Sequence, residues 1–259
     1  DAQTKAALIR QILCCLSLSP FDFDTIQIAM TDNVEIARLE FKARRYHYAI
    51  KFAGYALARD SDCAEALEIL GNANFRMARF SEGIDAIERL SLLRPLDDDC
   101  SIELAIAYGC LGKRRLSRDL LMSLATPGRM DSPQLLRIAT GLEAIDEPLL
   151  AMEACRQAGT KSPESAEVHF QMGYYAQICG HPPNVSEALL RHAIDLDPGN
   201  LHFRIGLASF LIRLGRKFEA LATVDHLIPD RLDQITCQCC LKRVANLFFD
   251  CHDLARASL

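Results

Sequence analysis

Residues 64–97 read AEALEILGNANFRMARFSEGIDAIERLSLLRPLD. Leu67, Leu70 and Gly71 fall on one face of a helix, because side chains three and four apart stack along a 3.6-residue turn. Gly83, Ile87 and Leu90 fall on one face of a second helix, and Pro95, which has no N–H to continue it, closes the unit. The same pattern returns every 34 residues. From Met30 come Ile36, Ala37, Ala49, Ala53 and Ala56; from Asp98 come Leu104, Ala105, Tyr108, Ser117, Leu121 and Leu124. From Ser132 come Leu135, Ile138, Ala139, Leu142, Ala151, Cys155, Ala158 and Pro163. The unit opening at Ala166 keeps Met172 and Gly173, then slips by one residue to Ser186, Leu190, Ala193 and Pro198, as an insertion within His181–Asn184 would produce. Leu201 begins a sixth unit, with Leu207, Ala208, Leu211, Ala220, Val224 and Leu227. A seventh, from Ile235, is degenerate: Lys242 stands where a small residue belongs.

Two positions explain the pattern. The eighth residue of the six units is Ala37, Gly71, Ala105, Ala139, Gly173 and Ala208; the twentieth is Ala49, Gly83, Ser117, Ala151, Ser186 and Ala220. Antiparallel helices about 8–10 Å apart need small side chains where they approach most closely, with larger ones filling the holes beside them. Aromatics make up 7% of the chain and Trp is absent, which suits a thin, layered core of Ala and Leu.

This arrangement resembles the tetratricopeptide repeat, a 34-residue helix–turn–helix unit. The stretch ALLRHAIDLDPGN, residues 188–200, is the most similar to the second helix and exit turn of that family. Departures are Glu40 in place of an aromatic, Asn33 and Ser101 in place of a bulky fourth residue, and Arg129 in place of Pro. The resemblance implies an all-α fold, a right-handed α-solenoid of antiparallel helix pairs. The expected organisation is an N-terminal capping helix and connector over 1–29 and six repeats over 30–234, starting near 30, 64, 98, 132, 166 and 201. A degenerate seventh repeat or C-terminal cap would occupy 235–259.

The net charge of −5 argues against a nucleic-acid partner, which calls for a basic face. No run approaches the roughly 20 apolar residues of a membrane span. Ala6–Leu18 is apolar but lacks a basic flank and a small-residue cleavage motif, and reads as a helix. Eleven cysteines, mostly within helical patterns, point to reduced thiols and a cytoplasmic location.

In the resembled family, positions 2, 5, 9, 12 and 13 of each first helix line an inner groove. The groove residues this implies are Arg38, Phe41, Asn72, Phe75, Arg76 and Ile106 in the first three units, with Thr140, Phe170, Tyr174, Gln177, Ser209 and Arg213 in the later ones. Asn72 matches part of the family's carboxylate clamp, but the required Lys is Val34 or Glu68, so clamping is not expected. Aromatics set among both charge signs suit an extended or helical peptide held by apolar anchors.

Cys237, Cys240, Cys251 and His252 form the one cluster with zinc-type ligands, yet their spacing matches no closed pair of pairs; they read as small residues of a terminal helix. The expectation is no metal, no cofactor and no catalytic residue. Cys14–Cys15, His169 and His202 read as packed or solvated helix residues, and no phosphate-binding or hydrolase motif appears. Asp97–Asp99 reads as a charged helix start. The function expected is a protein-binding scaffold or adaptor, with self-association left open. The alternatives are the non-catalytic helical-repeat region of a larger enzyme, such as a glycosyl- or sulfotransferase, and single-stranded RNA binding, against which the 34-residue period and the acidity count. Phe21 and Phe23, between acidic residues, are candidates for occupying the groove in place of a partner.

Overall fold

The structure, a computed structural model, describes residues 33–224 and 238–250. The expected N-terminal cap lies outside the described residues, as do Cys237, Cys251 and His252. The described residues form thirteen helices and no strand, and the chain divides into two compact units, through Lys113 and from Arg114. The fold class is the all-α solenoid type, built from consecutive helix pairs.

The first unit contains α1 (Asn33–Lys42), α2 (Tyr46–Arg59), α3 (Ala64–Arg76), α4 (Phe80–Leu93) and α5 (Asp98–Cys110). Each helix packs against the next, and α3 touches both α1 and α5 as well. A first helix is thus covered on both sides and buries most of its circumference: Ala66, Leu67, Gly71, Ala73, Asn74 and Phe75 on α3 are all buried. Second helices bury one stripe only, as Ala49, Ala53 and Ala56 do on α2. The close approach of α3 to α4 is explicit at its two glycines. A Cβ on Gly71 would lie 2.4 Å from Ile87 Cδ1, and one on Gly83 would lie 2.4 Å from Phe75 and 3.1 Å from the Gly71 carbonyl. Glu40, the departure noted above, is buried, and the Arg45 guanidinium grips both its oxygens, one contact measuring 2.7 Å.

The second unit contains α6 (Arg114–Leu124), α7 (Ser132–Ala144), α8 (Pro148–Lys161), α9 (Ala166–Ile178), α10 (Pro183–Leu196), α11 (Leu201–Arg213), α12 (Lys217–Val224) and α13 (Gln238–Asp250). Starts are set locally. Asp131 Oδ1 accepts from Gln134 N (2.8 Å) while Gln134 Oε1 accepts from Asp131 N (3.1 Å), a reciprocal cap on α7. In the first unit Asp97 likewise caps α5 by accepting from Cys100 N at 2.7 Å.

First helices end in one way throughout. The second residue after each has left-handed backbone: Arg44, Ala78, Gly112, Asp146 and Gly180, each 34 after the last, then Gly215. The following N–H reaches back five residues, as in Arg79 N to Asn74 O (2.9 Å) and His181 N to Ala176 O (2.9 Å). This closes the helix and turns the chain into the next one. The extra residue of the fifth unit falls between Gly180 and Pro183, where it lengthens the turn before α10 without disturbing either helix.

Candidate functional site

In the second unit, α7, α9, α11 and α13 each present a stripe of side chains to one cavity of about 470 Å³. The stripes follow helical spacing: Thr140 and Glu143 on α7; Phe170, Tyr174 and Gln177 on α9; His202, Gly206, Ser209 and Arg213 on α11; Arg243, Asn246 and Leu247 on α13.

The floor is aromatic. The Phe170 ring lies 4.8 Å from that of His202 and 4.9 Å from that of Phe203, centroid to centroid. It can do so because Gly206 has no side chain: a Cβ there would lie 2.4 Å from Phe170 Cε2. Along one wall the Tyr174 and Tyr175 hydroxyls both donate to the Glu143 carboxylate, the latter at 3.2 Å. Burial, reinforced by that carboxylate, pushes the Tyr174 phenol up to about 12, so it stays a donor at neutral pH. Glu167 accepts from Gln171 Nε2 at 3.0 Å. His202 Nδ1 lies 3.0 Å from the sulfur of buried Cys240; burial depresses the basicity of this imidazole, against a smaller opposing pull from Glu167.

The polar capacity left over is uneven. Both carboxylates of the site are held by its own donors. Gln177 Oε1 is buried and accepts no hydrogen bond. Arg213 and Arg243 line the cavity with exposed side chains, and no carboxylate of the described residues pairs with either. Such a site can hold an apolar group on its floor and an anion beside its guanidinium groups. Cys240, whose sulfur lies against His202, is buried, with 1% of the residue exposed. Among the described residues no group of three or more metal-ligating side chains exists, and no helix is long and apolar enough to cross a membrane.

A family model for the tetratricopeptide repeat matches residues 186–236. A tetratricopeptide repeat protein from Parabacteroides merdae superposes with a TM-score of 0.70 over 88% of this chain and 89% of that one, at 12% identity. The chain has the tetratricopeptide-repeat fold, and residues 186–236 match the family by sequence. YrrB, described as such a protein with an unusual peptide-binding site, is similar to this repeat protein over 67% of the chain and 89% of its own (TM-score 0.54, 18% identity). MamA 41-end from Desulfovibrio magneticus is similar over 63% and 92% (TM-score 0.52, 15% identity). At these identities the likeness is one of fold. No curated protein matches the chain by sequence.

Within this repeat protein the twelve groove residues named from the sequence part into two sets. Thr140, Phe170, Tyr174, Gln177, Ser209 and Arg213 all line the cavity bounded by α7, α9, α11 and α13. Those of the first unit are engaged within the chain. Arg38 pairs with Glu35 and Glu65 (the latter at 2.5 Å), Arg76 pairs with Glu103 at 3.2 Å, and Asn72 is half-buried. Phe75 is buried over Gly83, Phe41 meets Tyr46 edge-on at 5.5 Å, and Ile106 is half-buried. Sequence reasoning missed the contribution of α13, which it treated as a degenerate end. The signal was there in Arg243, Asn246 and Leu247, spaced three and four apart. Tyr175 was missed too, because its position packs against α7 through a hydroxyl no periodicity reveals.

Proposed function

We propose that this chain is a non-catalytic protein-interaction scaffold, and that its second unit binds a peptide segment of a partner protein in the cavity bounded by α7, α9, α11 and α13. The observation that carries this reading is the cavity itself. Side chains from four helices converge on an aromatic floor, with a buried Gln177 Oε1 that accepts no hydrogen bond and with Arg213 and Arg243 unpaired by any carboxylate of the described residues. Peptide sites combine those two features, anchors for side chains and free groups for backbone. The peptide-binding site named for YrrB, a protein of similar fold, supports the same reading. A cytoplasmic setting goes with it, supported by Cys63, Cys100, Cys110, Cys155, Cys179 and Cys240, which are free thiols.

Ser209 is half-buried on α11 and lines the cavity, its hydroxyl donating to the Ile205 carbonyl. Ser209→Trp fills the space without touching the core. The whole chain and this variant are panned against a random peptide library, with helicity and melting temperature recorded for both. Sequences enriched by the parent and absent from the folded variant are the expected result. Identical pools from the two would place binding elsewhere and end the groove reading.

A further inference from the structure

The charge state of the cavity says more than that a peptide binds; it says which kind. The inference rests on the groove reading above. Glu143 and Glu167 are the site's anions: both oxygens of Glu143 accept from the hydroxyls of Tyr174 and Tyr175, and one oxygen of Glu167 accepts from the amide of Gln171. The cations have no such partners. Arg213 at the end of α11 and Arg243 in α13 line the same cavity with no carboxylate among the described residues against them. Several other arginines of this unit are paired locally. Arg216 bridges Glu187 and Glu219, Arg191 takes Glu187, and Arg156 takes Glu153 at 2.7 Å. Two guanidinium groups that face one cavity without a carboxylate against them are available to a ligand. A carboxylate can take a guanidinium by two parallel hydrogen bonds, a geometry no neutral side chain reproduces.

We propose that the cavity of the second unit is selective for an acidic, aromatic peptide segment, in which a phenylalanine-type anchor rests on Phe170 and flanking carboxylates engage Arg213 and Arg243. The ligand is extended, because alternation of ring and carboxylate puts the two on opposite sides of a strand-like backbone. Gln177 Oε1, buried and without a donor, takes a backbone N–H of the segment.

The probe is a peptide of known composition. Residues 19–25 of this chain, SPFDFDT, alternate two phenyl rings with two carboxylates. Labelled forms of it are titrated with the whole chain by fluorescence anisotropy: the parent peptide, one with both Asp replaced by Asn, one with both replaced by Lys, and one with both Phe replaced by Ala. The expected order is Asp tightest, Asn weaker by about tenfold or more and Lys weaker again, with the Ala form lost. The Asp peptide also weakens as salt rises. The double variant Arg213→Glu/Arg243→Glu is expected to invert the order so that the Lys peptide binds best. Both side chains are exposed and unpaired, so the variant keeps the parent melting temperature; Arg213→Gln/Arg243→Gln, which removes charge without reversing it, abolishes the preference. Equal binding of Asp, Asn and Lys forms overturns the acidic selectivity and leaves the groove reading intact. So does an Asp peptide that fails to bind at about 1 mM while library peptides bind in a Ser209-dependent way. An Asp peptide that binds the double-Glu variant as it binds the parent also overturns the inference. Failure of every peptide in both experiments removes the groove reading as well.

Discussion

Single residues set the turns of this molecule. The left-handed position after each first helix costs a side-chain-bearing residue about 1 kcal/mol or more and costs glycine nothing, because a Cβ there crowds the carbonyl. Three of the six carry side chains: Arg44, Ala78 and Asp146. Ala78→Gly is therefore expected to raise unfolding free energy by about 0.5–1 kcal/mol and Gly180→Ala to lower it by about 1 kcal/mol, both measured by urea titration. An unchanged Ala78→Gly midpoint would mean that the unfolded chain gains as much from glycine as the turn does. This position was not legible in the sequence, since Arg, Ala, Gly and Asp have no property in common except their place. His202 acts at the same scale. Burial holds its pKa below the ordinary 6.5, so the folded chain binds fewer protons than the unfolded one as pH falls. Its stabilising contribution is complete above 6.5 and is lost as pH drops below that value. Glu167 opposes the shift, Arg243 adds to it, and Cys240 faces the ring. His202→Phe should flatten that acid-side slope in thermal melts run from pH 7 down to 5; an unaltered slope would assign it to other groups.

At the scale of elements, helix pairing was the most legible part, because close approach admits only small residues and their 34-residue recurrence is written directly in the chain. The glycines show how strict this is. Gly71 faces Ile87 Cδ1 at 2.4 Å from where its Cβ would be, whereas a Cβ on Gly54, within α2, would meet nothing within 4 Å. Gly71→Leu is expected to cost about 1–3 kcal/mol by overpacking, and Gly54→Ala to gain about 0.5–1 kcal/mol from helix propensity. Denaturant midpoints decide it: two substitutions of like sign would mean that the α3–α4 contact is less tight than its geometry. The candidate site was half legible. First-helix positions in the second unit were found by repeat logic, but α13 carries no repeat signature, and its part in the cavity follows from packing against α11. In the first unit the same logic named Arg38 and Arg76, whose ion pairs with Glu65 and Glu103 reach 27 residues along the sequence, and Phe75, which packs over Gly83 of the next helix; all three escape a reading of one helix at a time.

For the molecule as a whole, every helix pair in substantial contact among the described residues is one or two apart in order. Stability in such a chain is a chain of neighbour terms. Ile87, fully buried between α3 and α4, illustrates the consequence. Ile87→Ala is expected to cost about 2–5 kcal/mol and to lower hydrogen-exchange protection in α3–α5 while sparing α9–α11. Equal loss of protection in both regions would show that the chain opens as one cooperative body instead. The recurring left-handed turn has a consequence of another kind. Since the backbone leaves each first helix through an equivalent bend, the chain can be spliced at these bends in whole units. Asp146 joined directly to His181 would restore the same bend in a protein one module shorter, so that length here is a count of modules, open to revision by duplication or excision without redesign of what remains.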